Sequence, residues 1–390
     1  MRVLFVAHDA NRTGAPLFLL NFLRWLDRRN PEIAFDVLIR QSGPLDAEFA
    51  AIARATYQWW PDMRIVTFLA EHRLVGKRRE ALSSKLRRLA GHPKRLLSRL
   101  GRNGYDLVFV NSLANAELIP ALADHIAVPM ICRAPELARY VAAHIGMAAA
   151  RAAVAHVDTF IAVSDIVARY LVDELGVAPE RIERIPGFAR LDPIRRTRAT
   201  IRRQLGISDT AFVVCGSGTT DWRKGPDLFV QIAADTRRRF ADRDIRFCWI
   251  GGDRSSDTFR KLEFDLQHID IDVVVTFIPE TDAPQDYYAA SDLLALTSRE
   301  DPFPLVALEA AALGLPVICF DAFIGTKEFL RRNGLTGPYL DVRAFADKIA
   351  AFRDDAARYE ATAHAMRTLA KEFTVDAIGE RLVAAMRRAA

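Results

Sequence analysis

Short apolar runs alternate with helical stretches along the whole chain, which predicts an α/β fold of doubly wound parallel sheets. Strand-like runs at 2–7, 34–40, 105–111, 128–132, 159–163, 211–215, 246–250, 272–277 and 293–296 are rich in Val, Ile, Leu and Phe. Nearly all lead through a turn into residues with apolar positions at helical spacing. The length of 390 residues fits two such domains. The polar, basic stretch 190–203 reads as a link and a first helix, giving an N-terminal domain over 1–190 and a C-terminal one over 191–373.

Composition narrows the class. With 51% hydrophobic and 26% charged residues, the chain reads as soluble and globular. No apolar run approaches the roughly 18 residues that span a bilayer. The opening MRVLFVAHD meets His8 and Asp9 too soon for a signal peptide and reads as a first buried strand. Cys132, Cys215, Cys248 and Cys319 lie far apart in apolar runs, without metal spacing or a disulfide framework. A reducing cytoplasm is therefore expected.

The net charge is +5, unevenly placed: residues 73–104 carry eleven Lys and Arg against the single acid Glu80. Leu82, Leu86, Leu89, Leu96, Leu97 and Leu100 recur there at helical spacing, broken at Gly91-His92-Pro93. One reading is a basic amphipathic surface for anionic membrane. The other is a helical hairpin packed on its own domain with a solvated basic face. Without interleaved aromatics, nucleic acid is not an expected partner.

Three loops carry candidate chemistry. The first is 297–321, TSREDPFPLVALEAAALGLPVICFD, a strand end, polar loop, helix and next strand. Pro304 suits a helix start, and Gly314 with Pro316 its end. Glu309 shares a helix face with Leu305 and lies among small apolar residues. It is either a surface glutamate on a half-exposed helix or an acceptor of ligand hydroxyls. The second loop, Gly216 to Gly225, holds Arg223 and Lys224 before a helix, a setting that suits a diphosphate. The third, Ala10 to Ala15, places Gly14 between the first strand and a helix with Leu17, Leu20, Leu23 and Leu26 inward. It is a plain turn or a phosphate-facing loop. G-x-G-x-x-G is absent, so a nicotinamide-dependent dehydrogenase stands as a reading that fits the strand–helix alternation but lacks the dinucleotide fingerprint. Arg133 and Glu136 stand at a strand end in RAPEL, whereas His8, His125, His144 and His156 read as ordinary surface or cap residues.

The segment 297–321 resembles the signature of the retaining GT-B glycosyltransferases of family 4, Glu-x7-Glu around a Gly-Phe-Gly-type turn. The matching spacing here is Asp301 to Glu309, with Pro302-Phe303-Pro304 at the turn and Glu300 as a rival one residue off. The resemblance extends, at decreasing clarity, over nearly the whole chain. It implies two Rossmann-like domains facing a cleft, with helix 374–390 crossing back to the first. It also implies transfer of a hexose-type sugar from a UDP- or GDP-linked donor, with retention, to a saccharide or lipid-linked acceptor. The usual setting is cell-surface polysaccharide or glycolipid assembly at the inner face of the cytoplasmic membrane.

By the same resemblance, Asp301 and Lys224 are catalytic. Gly14, Gly216, Arg223, Phe303, Pro304, Leu305 and Glu309 bind the donor, and Arg133 and Glu136 lie on the acceptor side. No cofactor and no metal are expected. The chain also departs from the family: Pro135 replaces a histidine, Ser217 and Gly218 occupy the place of an arginine, Pro304 has no N–H to offer, Asp301 stands for the first glutamate, and Gly187 for an asparagine. The first two favour a rival reading, a non-catalytic sugar-nucleotide-binding subunit.

Overall fold

The computed structural model describes residues 1–59, 92–189, 191–269, 275–321, 323–325, 330 and 335–390. The chain divides into two compact units, Met1–Ile185 with Gly379–Ala390, and Pro186–Ile378.

Unit 1 is built on seven parallel strands: β1 (Arg2–Ala7), β2 (Ala34–Ile39), β3 (Thr56–Gln58), β4 (Leu107–Asn111), β5 (Met130–Ala134), β6 (Thr159–Ala162) and β7 (Ile182–Arg184). Their spatial order is β3-β2-β1-β4-β5-β6-β7. Nearly every residue of β1, β2, β4 and β5 is buried, which explains runs without polar alternation. Helix Gly14–Arg29 buries a wider face than its leucines suggest: Phe18, Leu19, Phe22 and Trp25 are inside, whereas Leu17 is half-buried. Phe22 meets Phe5 edge-on at 6.1 Å between ring centroids. Arg28 and Arg29 in its last turn suit the negative end of the helix dipole.

The last helix, Val375–Ala389, delivers the chain end to unit 1. Trp25 packs where a side chain on Gly379 would stand, its ring 2.7 Å from that position. Arg388 grips Glu183 with two bonds of 2.6 and 2.7 Å. Of the basic block, residues 73–91 lie outside the described residues. In helix His92–Gly101, Leu96, Leu97 and Leu100 are buried while Lys94, Arg95 and Arg99 are exposed. In this half the leucines serve the core of their own domain.

Unit 2 repeats the architecture with six parallel strands in the order β10-β9-β8-β11-β13-β15 and a two-stranded ribbon β12-β14. They are β8 (Phe212–Ser217), β9 (Ile245–Ile250), β10 (Val275–Ile278), β11 (Leu293–Leu296), β12 (Glu300–Asp301), β13 (Val317–Phe320), β14 (Phe323–Ile324) and β15 (Thr336–Gly337). The doubly wound parallel-sheet expectation holds in both units. A strand absent from the sequence reading closes the sheet edge: Thr336 and Gly337 pair with Cys319 and Phe320. Ser164 takes the position before helix Asp165–Asp173 without its side chain capping that helix.

In each sheet the strand order reverses once, between β1 and β4 and between β8 and β11. The loops leaving the carboxyl ends of such strands form the crevice where open α/β sheets bind ligands. Away from that edge, Arg202 is 1% exposed and fully used. It donates to the carbonyls of Ala290, Ser208, Asp209 and Ala211 and to Asp292 at 2.7 Å. Arg202→Met would take this donor from the Ala290, Asp209 and Ala211 carbonyls, while Asp292 keeps Arg198 and the Val213 N–H; the expected cost is about 1–3 kcal/mol for each buried carbonyl left unpaired. Denaturant titration should show the loss in the unfolding of unit 2.

Candidate active site

In unit 2 the loops after β8 and β11 are stitched together. Asp221 begins the first by accepting the backbone N–H groups of Arg223 at 2.8 Å and Lys224 at 3.2 Å. Gly225 then adopts a left-handed φ of +69°. A Cβ there would lie 2.3 Å from the Thr297 carbonyl oxygen, so only glycine lets the two loops meet. The Thr297 hydroxyl donates to the Lys224 carbonyl at 3.1 Å, and the Arg299 N–H to the Arg223 carbonyl at 2.8 Å. Arg299 further clamps Asp227 with bonds of 2.9 and 2.6 Å.

This frame presents one close ion pair: Lys224 Nζ donates to Asp301 Oδ2 at 2.6 Å. Arg223 stands 3.9 Å from the same oxygen. Asp301 is 4% exposed, in the short strand β12 held by β14. Gly218, at φ +145°, lies against the methylene stem of Lys224, where a Cβ would come within 3.1 Å. Three expected site residues thus converge at the strand-order reversal.

Glu309 sits half-buried on helix Leu305–Ala312. Burial, with the nearby Glu309 charge, pushes the Tyr288 hydroxyl well above its ordinary range. Tyr288 in turn meets the Ser217 hydroxyl at 2.7 Å, so Glu309 faces the end of β8. Phe303 and Leu305 pack on Gly187, whose Cβ would fall 2.5 Å from Leu305 Cδ2. Pro304 is the residue before the helix, not within it, so its missing N–H removes a capping amide. Gly216 is not a loop residue as the sequence suggested. It lies inside β8, its bare Cα accommodating the Trp249 ring, which a Cβ would approach to 2.5 Å.

In unit 1, Gly14 opens helix Gly14–Arg29, and nothing lies within 4 Å of where its Cβ would be. Arg133 and Glu136 are both buried at the end of β5. Glu136 accepts from the Ser112 hydroxyl and from the Leu113 N–H at 3.2 Å. Burial nonetheless pushes its carboxyl up to about 7. Ser112 is strained, a non-glycine residue at φ +139°. His8 is half-buried rather than on the open surface: burial holds its imidazole below the ordinary range, its Nε2 faces Asp9 at 3.5 Å, and its Nδ1 is buried without a partner.

Residues 13–192 match the model for Glycosyltransferase Family 4, and residues 197–372 that for Glycosyl transferases group 1. The chain belongs to the group 1/family 4 glycosyltransferases of the GT-B type. Among its relatives is the D-inositol 3-phosphate glycosyltransferase of Geodermatophilus obscurus, 33% identical over 249 residues, or 61% of this chain and 54% of that protein. The protein of the same name from Nocardia farcinica is 33% identical over 192 residues, 47% of this chain and 42% of the relative. The matched region thus spans about half the length of these relatives. Among solved structures, Anabaena HepE in complex with UDP superposes with a TM-score of 0.79 at 18% identity, covering 100% of both chains. Sucrose-phosphate synthase from Thermosynechococcus elongatus gives 0.75 at 19% identity, over 100% of this chain and 98% of that one. At such identities the likeness concerns the fold.

In unit 2, Thr297, Arg299 and Asp227 were not legible as site residues in the sequence, although they hold Lys224 and Asp301 in place. The available signals were Asp227 in a helix first turn and an arginine two residues before Asp301. Gly225→Ala is expected to destabilise unit 2 by more than about 1 kcal/mol, from left-handed strain plus the clash. Its melting temperature is the check.

Glu136 gives a pH dependence. Its carboxyl binds its proton more tightly folded than unfolded, so its contribution to stability is full below its ordinary value of 4.5 and lost as pH rises through about 7. The loss is roughly 3 kcal/mol at most. Glu136→Gln should flatten the decline in denaturation midpoint between pH 5 and 8.

Proposed function

We propose that this chain transfers a hexose-type sugar from a UDP- or GDP-linked donor to a hydroxyl of a saccharide or lipid-linked acceptor, with retention at the anomeric carbon. The observation that carries the reading is the Lys224–Asp301 pair at the strand-order reversal of unit 2, with Arg223 beside it. A cation and a carboxylate 2.6 Å apart are the two charges a nucleotide sugar requires at its reacting centre. The related structure of Anabaena HepE was obtained with UDP and with UDP-glucose, which supports this class of donor.

In the proposed reaction, the bond between the anomeric carbon and the diphosphate oxygen breaks as the acceptor oxygen bonds to the same face. The acceptor proton passes to the departing phosphate oxygen. Lys224 and Arg223 neutralise charge accumulating on the diphosphate, so the step needs no metal for that purpose. Asp301 accepts from hydroxyls of the transferred sugar and stabilises its oxocarbenium-like state. Glu309 accepts from the nucleotide ribose. Gly14, with open space beside it, lets its loop approach a phosphate, and unit 1 takes the acceptor near Arg133 and Glu136.

The setting we assign is cell-surface polysaccharide or glycolipid assembly on the cytoplasmic side of a membrane. No described helix is long and apolar enough to cross one. Exposed Lys94, Arg95 and Arg99 form the described part of the basic surface assigned to anionic lipid.

Screening nucleotide sugars for slow hydrolysis, which needs no acceptor, tests the activity. Turnover should appear with one UDP- or GDP-sugar, and Lys224→Ala should lower it by roughly tenfold to a hundredfold, the worth of a charge-assisted bond. Glu309→Gln should chiefly raise the donor KM. Nucleotide-induced stabilisation without turnover of any donor or acceptor would assign the chain instead to the non-catalytic binding role.

A further inference from the structure

Arg133 is a buried charge without a structural employer. It is 4% exposed, yet its Nε and Nη1 are buried with no hydrogen-bond partner, and among the described residues it forms no ion pair. Arg202 shows what a structural buried arginine looks like in this protein: every branch of its guanidinium meets a carbonyl or carboxylate. Arg133 has instead the face of Phe18, 3.7 Å from its guanidinium carbon, and the field of Glu136. The Glu136 oxygens are engaged elsewhere, by Ser112 and the Leu113 N–H.

The surroundings are polar and equally unfinished. Arg133 on β5 is in register with Asn111 on β4. Asn111 Nδ2 donates to the Ala15 carbonyl at 2.9 Å, which leaves its buried Oδ1 unpaired. Both residues therefore abut the first turns of helix Gly14–Arg29, through Ala15 and Phe18. That helix has no acidic residue in its first turn, so its N-terminal dipole is unopposed there. His8 Nδ1, just past the end of β1, is a fourth buried unpaired atom.

We propose that Arg133 is the anchor of an oxyanion subsite, which receives a phosphate or carboxylate group carried by the acceptor. The acceptor is then an anionic saccharide or a phosphorylated polyol or lipid, not a neutral sugar. A guanidinium with unpaired N–H groups beside a helix start supplies planar donors that suit either oxyanion. Glu136 is compatible with such a guest, because burial already places its carboxyl near neutrality, where it sheds its charge readily. That the anion arrives on an acceptor rests on the proposed transferase reading; the anion subsite itself does not.

Arginine Nε–H NMR on the full chain tests this directly, the Arg133 resonance being identified by its loss in Arg133→Lys. The probes are glucose 6-phosphate, glucuronate and neutral glucose. The resonance should move downfield and saturate with at least one of the two anions and stay in place with glucose; which anion moves it tells phosphate from carboxylate. Arg133→Met retains an apolar stem for Phe18. It should melt no lower than the parent and bind the effective anion at least tenfold more weakly by calorimetry. A resonance unmoved by either anion, or moved equally by glucose, overturns the proposal. So does Arg133→Met that binds the anion like the parent. None of these readings requires a donor or turnover, so absence of glycosyl transfer would count against the activity and leave the anion subsite standing.

Discussion

The ion pair between Lys224 and Asp301 is the interaction on which the unit 2 site depends. It exists because two loops from adjacent strands are fixed against each other. Gly225 permits the approach, Thr297 and Arg299 bond to the backbone beside Lys224, and Arg299 closes on Asp227. Removing one partner from such a buried pair typically costs about 3–5 kcal/mol, mostly because the other charge is stranded. A ligand that enters must therefore replace both partners at once. A nucleotide sugar in the proposed role does so, its diphosphate taking the lysine and its sugar hydroxyls the carboxylate. Until then the pair holds both side chains in place without bound ligand.

The two units solve the same problem differently. Each collects its polar groups where the strand order reverses, because that edge leaves backbone and side chains uncovered by helices. In unit 2 the charges there are mutually satisfied. In unit 1 the corresponding edge keeps unpaired polar atoms on His8, Asn111 and Arg133, and a strained Ser112. Buried polar groups are nearly always paired, so this concentration marks unit 1's edge as the less self-sufficient of the two.

Much of this was legible in the sequence. Parallel strands buried on both faces read as continuous apolar runs, and Gly314 with Pro316 marked a helix end that the structure confirms at φ +79°. Lys224 was singled out by its loop position and Asp301 by the resemblance to the family signature, although 77 residues separate them and only folding shows that they touch. Gly216 was misplaced because a glycine beside Gly218 looks like loop chemistry, whereas its need arises from Trp249 on the next strand. Thr336–Gly337 was missed because two residues carry no periodicity and pair only at a sheet edge. Arg133 could be placed at a strand end, but its lack of partners is a fact of three dimensions.

Asp301 holds the lysine that a diphosphate must win. Titration calorimetry of UDP or GDP against the parent, Asp301→Asn and the double variant Lys224→Ala with Asp301→Asn measures that competition. Asp301→Asn should bind the free nucleotide more tightly, by roughly tenfold for one released charge-assisted bond. The gain should vanish in the double variant. Nucleotide affinity unchanged or weakened in Asp301→Asn would mean that Asp301 does not compete with the diphosphate for Lys224.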